Sequence, residues 1–177
     1  MEVLMSVLVL TVGLIGTAMI ELHAFRTTEQ SNLHDTAVAL AMQIADEMRA
    51  NDRQTRLTLA NPFEKVKYFA SAAPSNSLSN CYKNACTPEE WASQSVSEWE
   101  QRIQASLPGG HLEICRDDVV VNATSGDYLW CDTPSGPTAP LVVKIGWYEK
   151  NPDGKAVEGA GKPSTPRVAI LTSPYSQ

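Results

Sequence analysis

Glu2 is the first residue of the chain placed to do chemistry. It precedes an apolar run, Val3 to Ile20, that holds no charged residue. A carboxylate among packed apolar helices is costly unless it is paired. At the N-terminus of an isolated helix it would be favoured by the dipole and otherwise idle. The four cysteines come next, and four allow three connectivities. Cys81 and Cys86 span a short loop, and Cys115 and Cys131 lie on neighbouring expected strands. The pairs that close locally, Cys81–Cys86 and Cys115–Cys131, are the expectation. A zinc site is the sharper alternative, but the spacing fits none of its standard patterns and the second pair lies in strands. Disulfides suit a domain that leaves the cytoplasm.

Catalysis has little footing. The histidines are His23, His34 and His111. The first two fall on a long helical pattern and the third opens a strand-like run. No Ser-His-Asp or Cys-His set has a local signature, and there is no Gly-rich phosphate loop. The Asn122-Ala123-Thr124 sequon is a weak match. Trp91, Trp99, Trp130 and Trp147 could form a binding surface, but tryptophans read more simply as core or half-buried packing. The expectation is a protein that is not an enzyme and carries no cofactor and no metal.

The chain has 177 residues and a net charge of -6. That length suits one modest domain plus an accessory element. An acidic chain without a basic run offers no phosphate-neutralising surface, so a nucleic-acid partner is not expected. Lys65 and Lys67 read as decoration of a solvated face.

The elements that position these residues start with the opening run, which reaches the length of about 18 apolar residues that marks a membrane-span candidate. Gly13 and Gly16 interrupt it, and membrane helices tolerate glycine. A cleaved signal peptide needs a basic n-region; "GTA" at Gly16 to Ala18 could pass for its cleavage site, but the flank is acidic. An ordinary single-pass anchor is normally oriented by Lys or Arg, and here only Arg26 follows the run. A third reading places a basic leader upstream of this sequence. The helical pattern continues beyond Ile20. Leu33, Ala37, Leu40, Ala41, Ile44 and Met48 recur on one face, with Asp35, Asp46 and Arg49 opposite. One helix is expected from Glu2 to about Ala50, on the order of 70 Å long. Its first half is apolar all round and its second half is amphipathic.

"MEVLMSVLVLTVGLIG" resembles the N-terminal segment of type IV pilins, the filament subunits of bacterial pili and type II secretion pseudopili. In that family a prepilin peptidase cuts a basic leader after a glycine, and the glutamate followed by a long apolar helix comes shortly after. Glu2 matches that glutamate. The resemblance implies that Met1 is an internal methionine of a longer precursor, and that Glu2 pairs with the N-terminal amine of a neighbouring subunit. Many major pilins have a proline in this helix. Here there is none, and Gly13 and Gly16 are the positions that could loosen it. "ALAMQIADEMRAN", "WEQRIQASLPGG" and "LVVKIGWYE" resemble PilV-type minor pilins. The resemblance implies an inner-membrane protein with its domain outward, later drawn into an extracellular pilus with the major pilin and other minor pilins. A type II secretion pseudopilin and a membrane-anchored periplasmic binding domain are the alternatives.

The rest of the chain implies an α+β head. The pattern turns polar after Asn51, and Pro62 blocks a helix. "SAAPSNSLSN" at Ser71 to Asn80 is a loop. Thr87 is an N-cap candidate, with Pro88 at the first helical position and Glu89 and Glu90 complementing the dipole. A second helix is expected from Pro88 to about Ser106, burying Trp91, Val96, Trp99 and Ile103 and ending at "LPGG". From His111 the period becomes strand-like, in "HLEIC", "DVVVNA", "YLWCD", "LVVKIGWYE" and "RVAILTS". "TPSGPTAP" and "NPDGK" are turns or loops. The expected arrangement is the type IV pilin fold: an antiparallel sheet laid on the amphipathic half of the first helix, residues 1–23 forming the membrane or filament-core half and 24–177 the head.

Overall fold

A computed structural model describes residues 2–75, 80–132, 135–148 and 165–172. The turn expected at 151–155, residues 76–79 of the Ser/Asn loop and residues 133–134 of "TPSGPTAP" lie outside the described residues.

Helix α1 runs unbroken over Glu2–Ala50, 49 residues, through Gly13 and Gly16. Ala37, Ala41, Ile44 and Met48 lie on one face and are fully buried in the head. Burying Ile44 and Met48 contributes roughly 1.5–3 kcal/mol each. Asp35, Asp46 and Arg49 point outward. Arg49 also reaches back to the carbonyl of Leu171 at 2.8 Å, fixing the helix to the last described strand. A four-residue helix α2, Asp52–Thr55, turns the chain away.

Helix α3 spans Pro88–Ser106. Thr87 caps it: its hydroxyl accepts the Glu90 N–H at 3.2 Å, and the Glu90 carboxylate accepts the Thr87 N–H at 2.8 Å. Such a reciprocal cap contributes about 1 kcal/mol. Trp99 and Ile103 are buried, whereas Trp91 is exposed, contrary to expectation. It sits one turn into the helix, at the rim of an open groove shared with Glu47 and Ala50 of α1, where no side chain of the sheet covers it. The helix closes at Gly109, whose left-handed φ of +59° favours glycine, and a Cβ there would lie 1.9 Å from the Tyr148 ring.

The sheet has four strands in the order β1-β2-β3-β4. They are β1 Val66–Phe69, β2 His111–Arg116, β3 Leu141–Gly146 and β4 Val168–Leu171. All neighbours are antiparallel. Register places Tyr68, Leu112 and Ile145 on one face, and Val66, Ile114 and Val143 beside them. This face packs on α1 and α3 with Phe63, Trp99 and Trp147 to form one core. The molecule is α+β, a long N-terminal helix on an antiparallel sheet, with α3 in the connection between β1 and β2.

Two expectations about strands are corrected. "DVVVNA" and "YLWCD" form no ladder; they meet only in the isolated bridge Val121–Tyr128. Covalent and ionic contacts to the outer sheet face hold this segment across the strands instead of beside them. Cys131 is therefore in a loop and not on a strand. The missing edge strand is β1, which includes Lys67, a residue read from sequence as mere surface decoration. Its alternation of Val66, Lys67 and Tyr68 is too short to stand out.

Candidate assembly surface

The first half of α1 stands free of the head. No residue in its most apolar 18-residue window is buried, and the helix is long and apolar enough to cross a membrane. Val3, Val9, Met19, Ile20 and Phe25 are among its exposed large side chains. A soluble monomer rarely presents so much contiguous apolar surface without a partner. The hydroxyl groups of the apolar run are satisfied within the helix. Ser6 donates to the Val3 carbonyl at 2.9 Å, Thr11 to Leu8 at 2.8 Å and Thr17 to Leu14 at 2.9 Å. Hydroxyls closed onto their own helix leave an exterior that lipid or apolar side chains can cover. Glu2 lies exposed in the first turn. Gly13 and Gly16 face open space; a Cβ at either meets nothing within 4 Å.

The second half of α1 is clamped to the head by polar contacts as well as by the core. Glu47 accepts the indole N–H of Trp99 at 2.5 Å and the guanidinium of Arg102 at 3.0 Å. Arg102 also reaches Glu98 at 3.4 Å. One carboxylate on α1 thus serves two donors on α3.

The outer face of the sheet carries charge. Lys67, Glu113 and Lys144 stand opposite one another on β1, β2 and β3. Glu113 accepts from the Cys131 N–H at 2.9 Å, lies 2.9 Å from His111 Nε2 and pairs with Lys67 at 3.1 Å. Burial alone pushes the Glu113 carboxyl up, but these hydrogen bonds outweigh it and hold the pKa well below the usual carboxylate range. Lys144 is 0% exposed and pairs with Asp117, and its ammonium also donates to the Leu129 carbonyl at 2.6 Å. Residues 117–132 lie over this face. The Cys115–Cys131 disulfide anchors them, and Trp130 stacks on His111 with ring centroids 4.1 Å apart. A second disulfide joins Cys81 and Cys86.

The structure does not bring the candidate catalytic residues together. His23 and His34 are exposed along α1, whereas His111 is buried beneath Trp130. Among the described residues no group of three His, Cys, Asp or Glu side chains is placed to hold a metal. Trp99, Trp130 and Trp147 are buried and Trp91 is not. Sequence reading missed the Lys144–Asp117 pair, although a lysine inside "LVVKIG" was a usable signal. A charge in a run that is apolar on both faces needs a buried partner.

No protein-family model, no curated protein and no solved structure matches this chain.

Proposed function

We propose that the chain is a minor pilin of a type IV pilus, of the PilV-like kind. It is held in the bacterial inner membrane by the apolar half of α1 until helix and head are drawn into a filament. The observation that carries this reading is that one unbroken helix has two environments. Its C-terminal half is part of the core of an α+β head, while its N-terminal half is bare and apolar, with the hydroxyls of Ser6, Thr11 and Thr17 closed onto the helix backbone. A helix of this kind anchors in lipid and then packs against identical helices without changing its own hydrogen bonding.

In this reading Glu2 pairs with the N-terminal amine of a neighbouring subunit and sets axial register, because a carboxylate inside an apolar bundle needs a cation. The partners are the major pilin and other minor pilins, in a complex that starts or caps assembly. The protein performs no catalysis and needs no cofactor.

The test is Glu2→Ala in cells that make the filaments. Incorporation into sheared filaments should fall about tenfold or more, the loss of a charge-assisted contact of roughly 1.5–3 kcal/mol. The thermal unfolding of the head should not change. Normal incorporation overturns the Glu2 role. A wild-type chain that remains in the membrane fraction and never enters filaments is a membrane-anchored binding domain, and recovery with a secretion pseudopilus identifies a pseudopilin.

A further inference from the structure

Between α1 and α3, beside the Cys81–Cys86 loop, the head carries an open groove of about 480 Å³. Tyr82 and Trp91 form one wall, meeting edge to face with ring centroids 5.7 Å apart and planes at 86°. Tyr82 is 70% exposed and Trp91 39% exposed, while Trp99 is 1% exposed. This aromatic corner is wet, yet it is held in place. The disulfide closes the loop that bears Tyr82, and the Tyr82 hydroxyl donates to Glu98 at 3.1 Å. Fixing two large rings outside the core leaves apolar area in water and adds little to head stability.

The charges in the groove decide what would fit it. Glu47 and Glu98 line it with a single guanidinium, Arg102, which pairs with both at 3.0 Å and 3.4 Å. One negative charge is left over. An anion would meet two carboxylates. A neutral apolar group would strip water from them without replacing it. A cation gains both the carboxylate field and the electron-rich ring faces. The groove is open rather than enclosed, which suits a side chain protruding from a surface better than an engulfed small molecule. The chain as a whole carries -6, which favours a partner with basic surface.

We propose that this groove docks a lysine or arginine side chain presented by a partner protein. The inference does not depend on the pilin reading.

The test uses the full chain, ¹⁵N-labelled, in non-ionic detergent micelles. The Trp91 indole N–H signal is followed during titration with acetyl-Gly-Arg-Gly-amide, its lysine counterpart, its citrulline counterpart and its glutamate counterpart. The Trp91 signal should shift saturably with the arginine and lysine peptides and stay in place with the other two. The buried Trp99 and Trp147 signals report that the fold is intact. Glu98→Gln and Tyr82→Leu, which keep the Trp91 probe, should each weaken binding by about fivefold, the size of one exposed cation–π or ionic contact. An equal response to citrulline overturns the proposal in favour of an apolar dock. A response to the glutamate peptide overturns it in favour of an anion on Arg102. No response to any peptide at millimolar concentration also overturns it.

Discussion

Glu113 accepts the backbone N–H of Cys131 at 2.9 Å, and the sulfur of that same Cys131 is bonded to Cys115, two residues along from Glu113 on β2. A covalent tie and a charged acceptor on one strand therefore grip one residue of the loop. Both lie on the outer face of the sheet, away from α1.

The two disulfides are unequal in the length of chain they close. Cys115–Cys131 closes a sequence separation of 16 and Cys81–Cys86 a separation of 5. The loop-entropy relation gives about 3 kcal/mol for the first and about 2 kcal/mol for the second. Replacing Cys115 and Cys131 with serine should lower the unfolding free energy of the head by about 3 kcal/mol, and the Cys81/Cys86 pair by about 2. Urea unfolding of the full chain in detergent, followed by Trp fluorescence, measures both. A larger loss from the Cys81/Cys86 pair would contradict this ordering.

Glu113 also gives the head a pH dependence. Its folded pKa is depressed, so between the folded and unfolded values the unfolded chain binds more protons than the folded one. The stabilisation is complete above the ordinary glutamate value of about 4.3 and is lost as pH falls below it. His111, Lys67 and Lys144 are the cationic or potentially cationic groups on that face, and Asp117 is the other carboxylate. Glu113→Gln should lower stability at neutral pH by about 2–4 kcal/mol, because it removes one member of a buried ionic set. It should also flatten the decline between about pH 5 and pH 3. Denaturant midpoints across that range check both outcomes, and an unchanged slope would count against the assignment.

Lys144 and Asp117 form the other buried pair. Lys144→Met leaves Asp117 and the Leu129 carbonyl without their ammonium donor, at a loss of about 3–5 kcal/mol. The double variant Lys144→Met/Asp117→Leu removes both charges and should recover most of that loss. A double-mutant cycle in urea reads the coupling directly. If the double variant is as unstable as the sum of the single variants, the two side chains do not act as a pair.

Periodicity carries some of this structure and not the rest. The long helix and α3 are legible because each repeats an apolar face over several turns and α3 has a complete cap at Thr87 and Glu90. β3 and β4 are legible because they are mostly apolar runs rich in valine and isoleucine, and β2 because Leu112 and Ile114 alternate with polar residues. β1 is hidden because four residues give only two core positions, Val66 and Tyr68, around a lysine. "DVVVNA" misleads because its valines are strand-like in composition, while the segment is tied at Asp117 before it and at Cys131 after its bridge partner Tyr128 to the outer face of the sheet. Strand propensity describes a half-buried pleated surface and does not determine which segment occupies the ladder. The exposed face of Trp91 was hidden for a related reason: spacing places it near the buried side of α3, and only the folded positions of α1 and the Cys81–Cys86 loop show that it borders an open groove and not the core.

Gly13 and Gly16 offer a separation of helix from head. In the isolated chain a Cβ at either position meets nothing within 4 Å, and both lie far along α1 from the buried Ala37. Gly13→Ala/Gly16→Ala should therefore leave head unfolding unchanged within about 0.5 kcal/mol. It should stiffen the apolar half of α1, since alanine favours helix over glycine by about 1 kcal/mol per position. If assembly requires α1 to loosen or approach neighbouring helices closely there, incorporation into filaments should fall while membrane insertion is retained. Quantifying the chain in membrane and sheared-filament fractions of cells expressing the double variant checks this. Undiminished incorporation would mean that neither the flexibility nor the small size of these glycines is used in the proposed filament.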